Sequence, residues 1–160
     1  MRLLITAVGK LKRGPQAALV EDYTGRIHQI GKATGFTDFS IVEVEAPKAL
    51  DGKARQQKEA SLLEDALAPV TKRIVLDERG KSLSSAALAQ KLGTWRDEGT
   101  KMTGFVIGGA DGHDKKITDR ADLLLSFGAA TWPHMLARAM LCEQIYRAMT
   151  ILSNHPYHRE

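Results

Sequence analysis

Only one cysteine, Cys142, stands among the 160 residues, so the chain carries no internal disulfide. It falls in an apolar-rich stretch, which predicts a buried thiol and not a nucleophile. Long apolar runs are missing as well. The first run, in MRLLITAVGKLK, lies between charges and is too short for a signal-peptide core or a membrane span, so a cytoplasmic protein with no membrane partner is expected. No block of five or six like charges occurs, which argues against a dedicated basic arm. Low-complexity tracts and internal repeats are absent. No G-x-S-x-G is present to place a serine nucleophile, which removes the common hydrolase elbow. The GKS triplet at 80–82 resembles the end of a phosphate-binding loop, but Val75 stands where that motif needs a glycine, and a nucleoside triphosphatase is rejected. Gly80 then reads as a turn residue.

What is present fits one folded domain over residues 1–160. Hydrophobic residues make up 43% and charged residues 26%, a balance that excludes disorder. Lysine and arginine outnumber aspartate and glutamate by 23 to 19, a mild excess that permits a polyanionic partner without requiring one.

Five short apolar runs predict strands: Arg2 to Val8, Phe39 to Ala46, Arg73 to Asp77, Gly104 to Gly108 and Asp122 to Phe127. Helical spacing fills the gaps at Pro15 to Lys32, Gly52 to Leu67 and Ser84 to Asp97, and again from about Pro133 to Leu152. In the last segment Met135, Ala139, Cys142, Tyr146 and Met149 repeat at four, three, four and three. Such a seam is buried against the chain's own core or against a partner subunit. Alternating strands and helices predict an α/β fold with a mainly parallel sheet covered by helices on both faces. Ligands of such sheets gather at the carboxyl ends of the strands.

Three strand ends therefore draw the search for chemistry. After GFVI comes GGADGH, where Gly108 and Gly109 leave room for a close backbone approach; a plain turn and a binding loop both remain open. Asp111, His113 and Asp114 are conceivable metal ligands, but their crowding into four loop residues favours a solvated turn. After DLLLSF comes GAATWPH, whose small residues and Trp132 suit either the wall of an adenine pocket or a tight loop.

VIGGADG (106–112), TWPHMLARAMLCEQIYRA (131–148) and the closing NHPYHRE, with AVGKLK (7–12) near the start, together resemble the SPOUT methyltransferases. Within them the likeness is to the bacterial enzymes that methylate N3 of a pseudouridine in large-subunit ribosomal RNA, and it covers the whole chain. The resemblance implies a trefoil knot near the C-terminal end and a homodimer. It implies S-adenosyl-L-methionine as cofactor, no metal, and 23S ribosomal RNA of the assembled ribosome as substrate. Carried over by residue, it places the cofactor against Leu76, Gly108 and the run Phe127, Gly128, Ala129, Ala130, Thr131 and Trp132. It brings His134, Tyr157, His158 and Arg159 toward the target base, with His158, His134 or a water as the candidate proton acceptor and Arg159 facing a phosphate or an anionic uracil oxygen; simple docking of the C-terminus is the equal alternative for each tail residue. The stretch HDKKITDRADL departs from the family, where an apolar residue often follows Gly112, so the role of His113 stays open. A SPOUT-fold protein that acts on another RNA, or that binds RNA without catalysis, is the alternative.

Overall fold

The computed structural model describes residues 1–158. Neighbouring residues on each strand point to opposite faces, and here both faces are apolar, as a sheet covered on both sides requires. Leu3, Ile5 and Ala7 of β1 (Arg2–Val8) and Phe105 and Ile107 of β4 (Met102–Ile107) belong to one core, whereas Val8 and Val106 belong to the other. With β2 (Asp38–Val44), β3 (Lys72–Ser82) and β5 (Leu123–Ser126) they form a five-stranded sheet of order β2-β1-β4-β3-β5, parallel throughout. Every strand accordingly sends its carboxyl end to the same edge.

The larger core lies beneath α1 (Pro15–Gly31), α3 (Ser85–Asp97) and α5 (His134–Leu152); α2 (Gly52–Ala66) and the four-residue α4 (Lys115–Thr118) cover the other face. Local signals set the boundaries. Pro15 occupies the first turn of α1, where its missing N–H costs nothing. The Ser84 hydroxyl caps α3 by accepting from Ala87 N at 3.1 Å. Asp114 does the same for α4, accepting from Lys116 N at 2.9 Å, and that short helix lies outside the sequence expectations. The seam of α5 goes into the chain's own core: Ala139, Cys142, Tyr146 and Met149 are buried there.

The third strand differs from expectation. It does not end at Asp77 but bulges outward between Leu76 and Lys81, then resumes pairing with β5, so that Leu125 is the register partner of both Leu76 and Lys81. Gly80 is therefore not a turn residue. It lies inside the strand, where a Cβ would stand 2.6 Å from the Leu124 carbonyl carbon, and only glycine lets the two backbones pass.

Candidate active site

Because the strands are parallel, the loops leaving β3, β4 and β5 meet at one edge. They enclose a cleft of about 870 Å³. Leu76 and the bulge Asp77–Arg79 come from β3; Gly108 through His113 come from β4; Phe127, Gly128, Ala130, Thr131 and Trp132 come from beyond β5, and His134 opens α5 at the rim. Ala129 lies in the same loop and is exposed. The structure thus gathers Leu76, Gly108 and the 127–134 run, with its loop and His134, from three separate stretches of sequence.

The cleft's lining is mixed: Leu76, Ile107, Leu125, Phe127 and Trp132 offer apolar surface for a flat heteroaromatic ring, and Asp77, Glu78, Arg79 and Thr131 offer polar groups for a sugar and charged substituents. Trp132 is 42% exposed, yet its indole N–H donates to Phe127 O at 3.2 Å, which holds the ring across its own loop. The Ser126 hydroxyl donates to Gly128 O and accepts from Gly128 N, tightening the start of that loop.

The two glycines after β4 are small for an internal reason. A Cβ on Gly108 would meet the His113 ring at 3.0 Å, and one on Gly109 would meet Glu59 Oε2 at 2.8 Å and Val8 Cγ1 at 3.0 Å. His113 is therefore no solvated turn residue, correcting that expectation. Its Nε2 lies 2.9 Å from Leu76 O, so the imidazole bridges the loops of β4 and β3, and burial pushes its pKa down. Asp111 is engaged elsewhere, accepting from Arg55 Nε at 2.7 Å, while Gln56 Nε2 donates to the carbonyls of Asp111 and His113. Helix α2 thereby fixes the whole 108–113 turn. Glu59, on the same helix, is buried behind Gly109, and burial raises its pKa.

At the mouth of the cleft Asp77 binds Arg79 through both oxygens at 2.8 Å. The arginine holds the carboxyl down at about 2 despite its burial. His134 has its pKa lowered, first by burial and then by the nearby charge of Arg138. That arginine is wholly buried. It pairs with Glu43, donates to Gly9 O at 2.8 Å and to Val8 O at 3.3 Å, and so ties the end of β1 to α5. A Cβ on Gly9 would approach His134 Nε2 to 3.3 Å, which places the β1 loop directly against the histidine. Sequence reasoning did not find Arg138, Glu43 or the Asp77–Arg79 pair. The one available signal was an arginine on an otherwise apolar helical face.

The tail lies elsewhere on this chain. The Tyr157 hydroxyl donates to Glu143 Oε1 at 3.1 Å and sits 3.2 Å from the Tyr23 hydroxyl; its ring packs on Tyr146 at 4.7 Å and under the Arg147 guanidinium. Burial, with Tyr23 and Glu143 beside it, raises the phenol pKa. Neither Tyr157 nor His158 lines the cleft of its own chain, and Arg159 lies outside the described residues. Beside the docked tail runs a second groove of about 680 Å³, lined by Leu19, Tyr23, Leu83, Leu136, Met140 and Glu143 among others.

A sequence profile described as "Predicted SPOUT methyltransferase" matches residues 1–158. The chain belongs to the SPOUT methyltransferase family. Curated relatives called "Ribosomal RNA large subunit methyltransferase H" include one from Rhodopseudomonas palustris (strain BisB5), 51% identical, and one from Mesorhizobium japonicum, 50% identical; each alignment spans 159 residues and 99% of both chains. The fold is also that of a probable methylase family protein from Haemophilus influenzae Rd KW20, with a TM-score of 0.50 at 12% identity, over 99% of this chain and 70% of that one. This SPOUT protein is a methyltransferase, and the chemistry of its family calls for a methyl donor. Among the described residues no group of three or more His, Cys, Asp or Glu side chains is placed to hold a metal ion, and no helix is long and apolar enough to cross a membrane.

Proposed function

We propose that the protein methylates N3 of a pseudouridine in 23S ribosomal RNA of the assembled ribosome, in the cytoplasm, with S-adenosyl-L-methionine as donor. The observation that carries this reading is the convergence of three strand-end loops on one glycine-bearing cleft of mixed apolar and polar lining with His134 at its rim. The names of the full-length relatives, each 50% identical or slightly more, support ribosomal RNA as the substrate.

Leu76, Gly108 and the 127–132 loop would hold the adenosine part of the donor, with Trp132 as a flat wall. The bound cofactor supplies an electrophilic methyl group on a sulfonium sulfur. The protein then has to bind, orient and take one proton from the imide nitrogen of the base. His134 suits that task because its depressed pKa keeps the ring neutral, and able to accept a proton, at physiological pH. Orientation of the nitrogen toward the methyl group supplies much of the remaining barrier reduction, roughly 7–11 kcal/mol in favourable cases.

The groove along α5 supports a homodimer. Leu136 and Met140 stand one turn apart on it, and Leu19, 44% exposed, faces it from α1, so a second copy would cover an apolar surface that one chain leaves open. Tyr157 docks against Tyr23 and Glu143, which also line that groove, so the tail would be carried at the interface toward the partner's cleft. There Tyr157, His158 and Arg159 would approach the target base. The return of β3 to β5 past its bulge, with Gly80 against the Leu124 backbone, supports a C-terminal segment threaded through a knot.

The reading is tested by offering 70S ribosomes, free 23S ribosomal RNA and transfer RNA to the purified protein with methyl-labelled donor. Label is expected at one pseudouridine of the ribosome's 23S RNA. Label in transfer RNA instead, or in no RNA, refutes it.

A further inference from the structure

Arg138 presents an energetic puzzle. A wholly buried guanidinium is costly unless its partners are well placed, and here the partners are Glu43 and the carbonyls of Val8 and Gly9. Glu43 also accepts from Leu11 N at 2.7 Å, and Gly9 N donates to Val44 O at 2.8 Å. Four interactions, two of them with a buried charge, thus fix Val8 at the end of β1 and Gly9 and Leu11 of the loop after it. Gly9 meets that demand by adopting φ +86°, a region that side chains disfavour. Yet the loop's own polar side chains contribute nothing to the core. Lys10, Lys12 and Arg13 are all exposed. Lys10 reaches Glu45 only at 3.8 Å, both side chains being largely solvated, and Lys12 and Arg13 form no salt bridge among the described residues.

A rigidly held loop that presents three cations to solvent is suited to an external polyanion. Its position says which one. Val8 is one residue beyond Ala7, whose register partner Ile107 immediately precedes Gly108 of the cleft, and Gly9 lies against His134. The loop that carries the cations therefore leaves the sheet at the same edge as the cleft, starting beside His134 at its rim. A flipped or looped-out nucleotide brings its neighbours' phosphates to that rim.

We infer that Lys10, Lys12 and Arg13 form a phosphate-docking edge that grips the RNA backbone beside the target nucleotide, with the Glu43–Arg138 staple setting its geometry. The inference rests on the proposed RNA substrate but not on the methylation chemistry. Phosphate contacts position the substrate and carry no base information, so their loss weakens binding and lowers its salt dependence.

The test is binding of the full-length protein to 70S ribosomes across a KCl series, beside methyl transfer to the same ribosomes. For K12Q/R13Q the affinity is expected to fall at least about tenfold at low salt, and the log–log salt slope to drop by about 1 for each lost contact. Binding of S-adenosylhomocysteine and the melting temperature should not move. K32Q/K101Q, which removes two exposed cations from the opposite edge of the sheet, should behave as the parent does. If K12Q/R13Q binds ribosomes with the parent's affinity and slope, or if K32Q/K101Q loses as much, the docking edge is overturned. Absence of methyl transfer by the parent, with loop-dependent binding intact, sinks the proposed reaction and leaves this edge standing.

Discussion

Replacing Arg138 by methionine is the sharpest probe of how this site is held together. The side chain is completely buried, while Glu43 keeps about a third of its surface in water. Removing one member of a buried ion pair costs about 3–5 kcal/mol because the other charge is left without compensation. In Arg138→Met the survivor is Glu43, which is solvated in part and still accepts from Leu11 N, so the low end applies, about 3 kcal/mol. With an unfolding entropy of about 2.1 cal/mol/K for each of 160 residues, that corresponds to a fall in Tm of about 9 °C. Glu43→Gln should cost more, about 4–5 kcal/mol, even though Glu43 is the more exposed residue, because it strands a guanidinium that water cannot reach. The double variant should lose clearly less than the sum of the two, since the stranded charge is then gone. Thermal and urea unfolding of all three variants decide it. A Tm for Arg138→Met within 2 °C of the parent, or simple additivity in the double variant, would refute the staple argument.

Other outcomes follow from the same geometry. Gly80→Ala pushes a methyl group into the Leu124 backbone, which cannot move aside as a side chain would; loss of soluble folded protein, or a melting point many degrees lower, is expected in thermal scans. Gly108→Val drives its Cβ into the His113 ring and so shifts the bridge to Leu76 O; calorimetry with S-adenosylhomocysteine should show binding lost, and unchanged affinity contradicts the cleft assignment. Cys142, buried with its pKa pushed up to about 12, should resist iodoacetamide in the native state at pH 8 and react fully in guanidinium. If His134 takes the proton, activity requires its neutral form. Its depressed pKa then keeps methyl transfer active below pH 6.5, and Arg138→Met, which removes a nearby positive charge, should move the acid limb of kcat/KM upward, toward the ordinary histidine value. A limb that stays where it was in Arg138→Met excludes this coupling.

Period and punctuation in the sequence determined the elements. Strand β1 is Arg2–Val8 as its apolar run indicates, α1 starts at Pro15, and α3 starts after Ser84, because these signals act within a few residues of chain. The motifs after β4 and β5 pointed to the correct edge of the sheet, since parallel strands send their carboxyl ends to one side. What the sequence could not determine were the distances between loops. The bulge between Leu76 and Lys81 is defined by pairing with β5, and the close approach that requires Gly80 is to the Leu124 backbone, 44 residues further along the chain. His113 looked like a solvated turn residue until the fold set Leu76 O beside it, and Arg138 looked like one polar residue on an apolar helix until the ends of β1 and β2 met it. Only the tertiary structure decided these roles. A buried polar group takes its meaning from partners distant in the chain, and no local spacing encodes them.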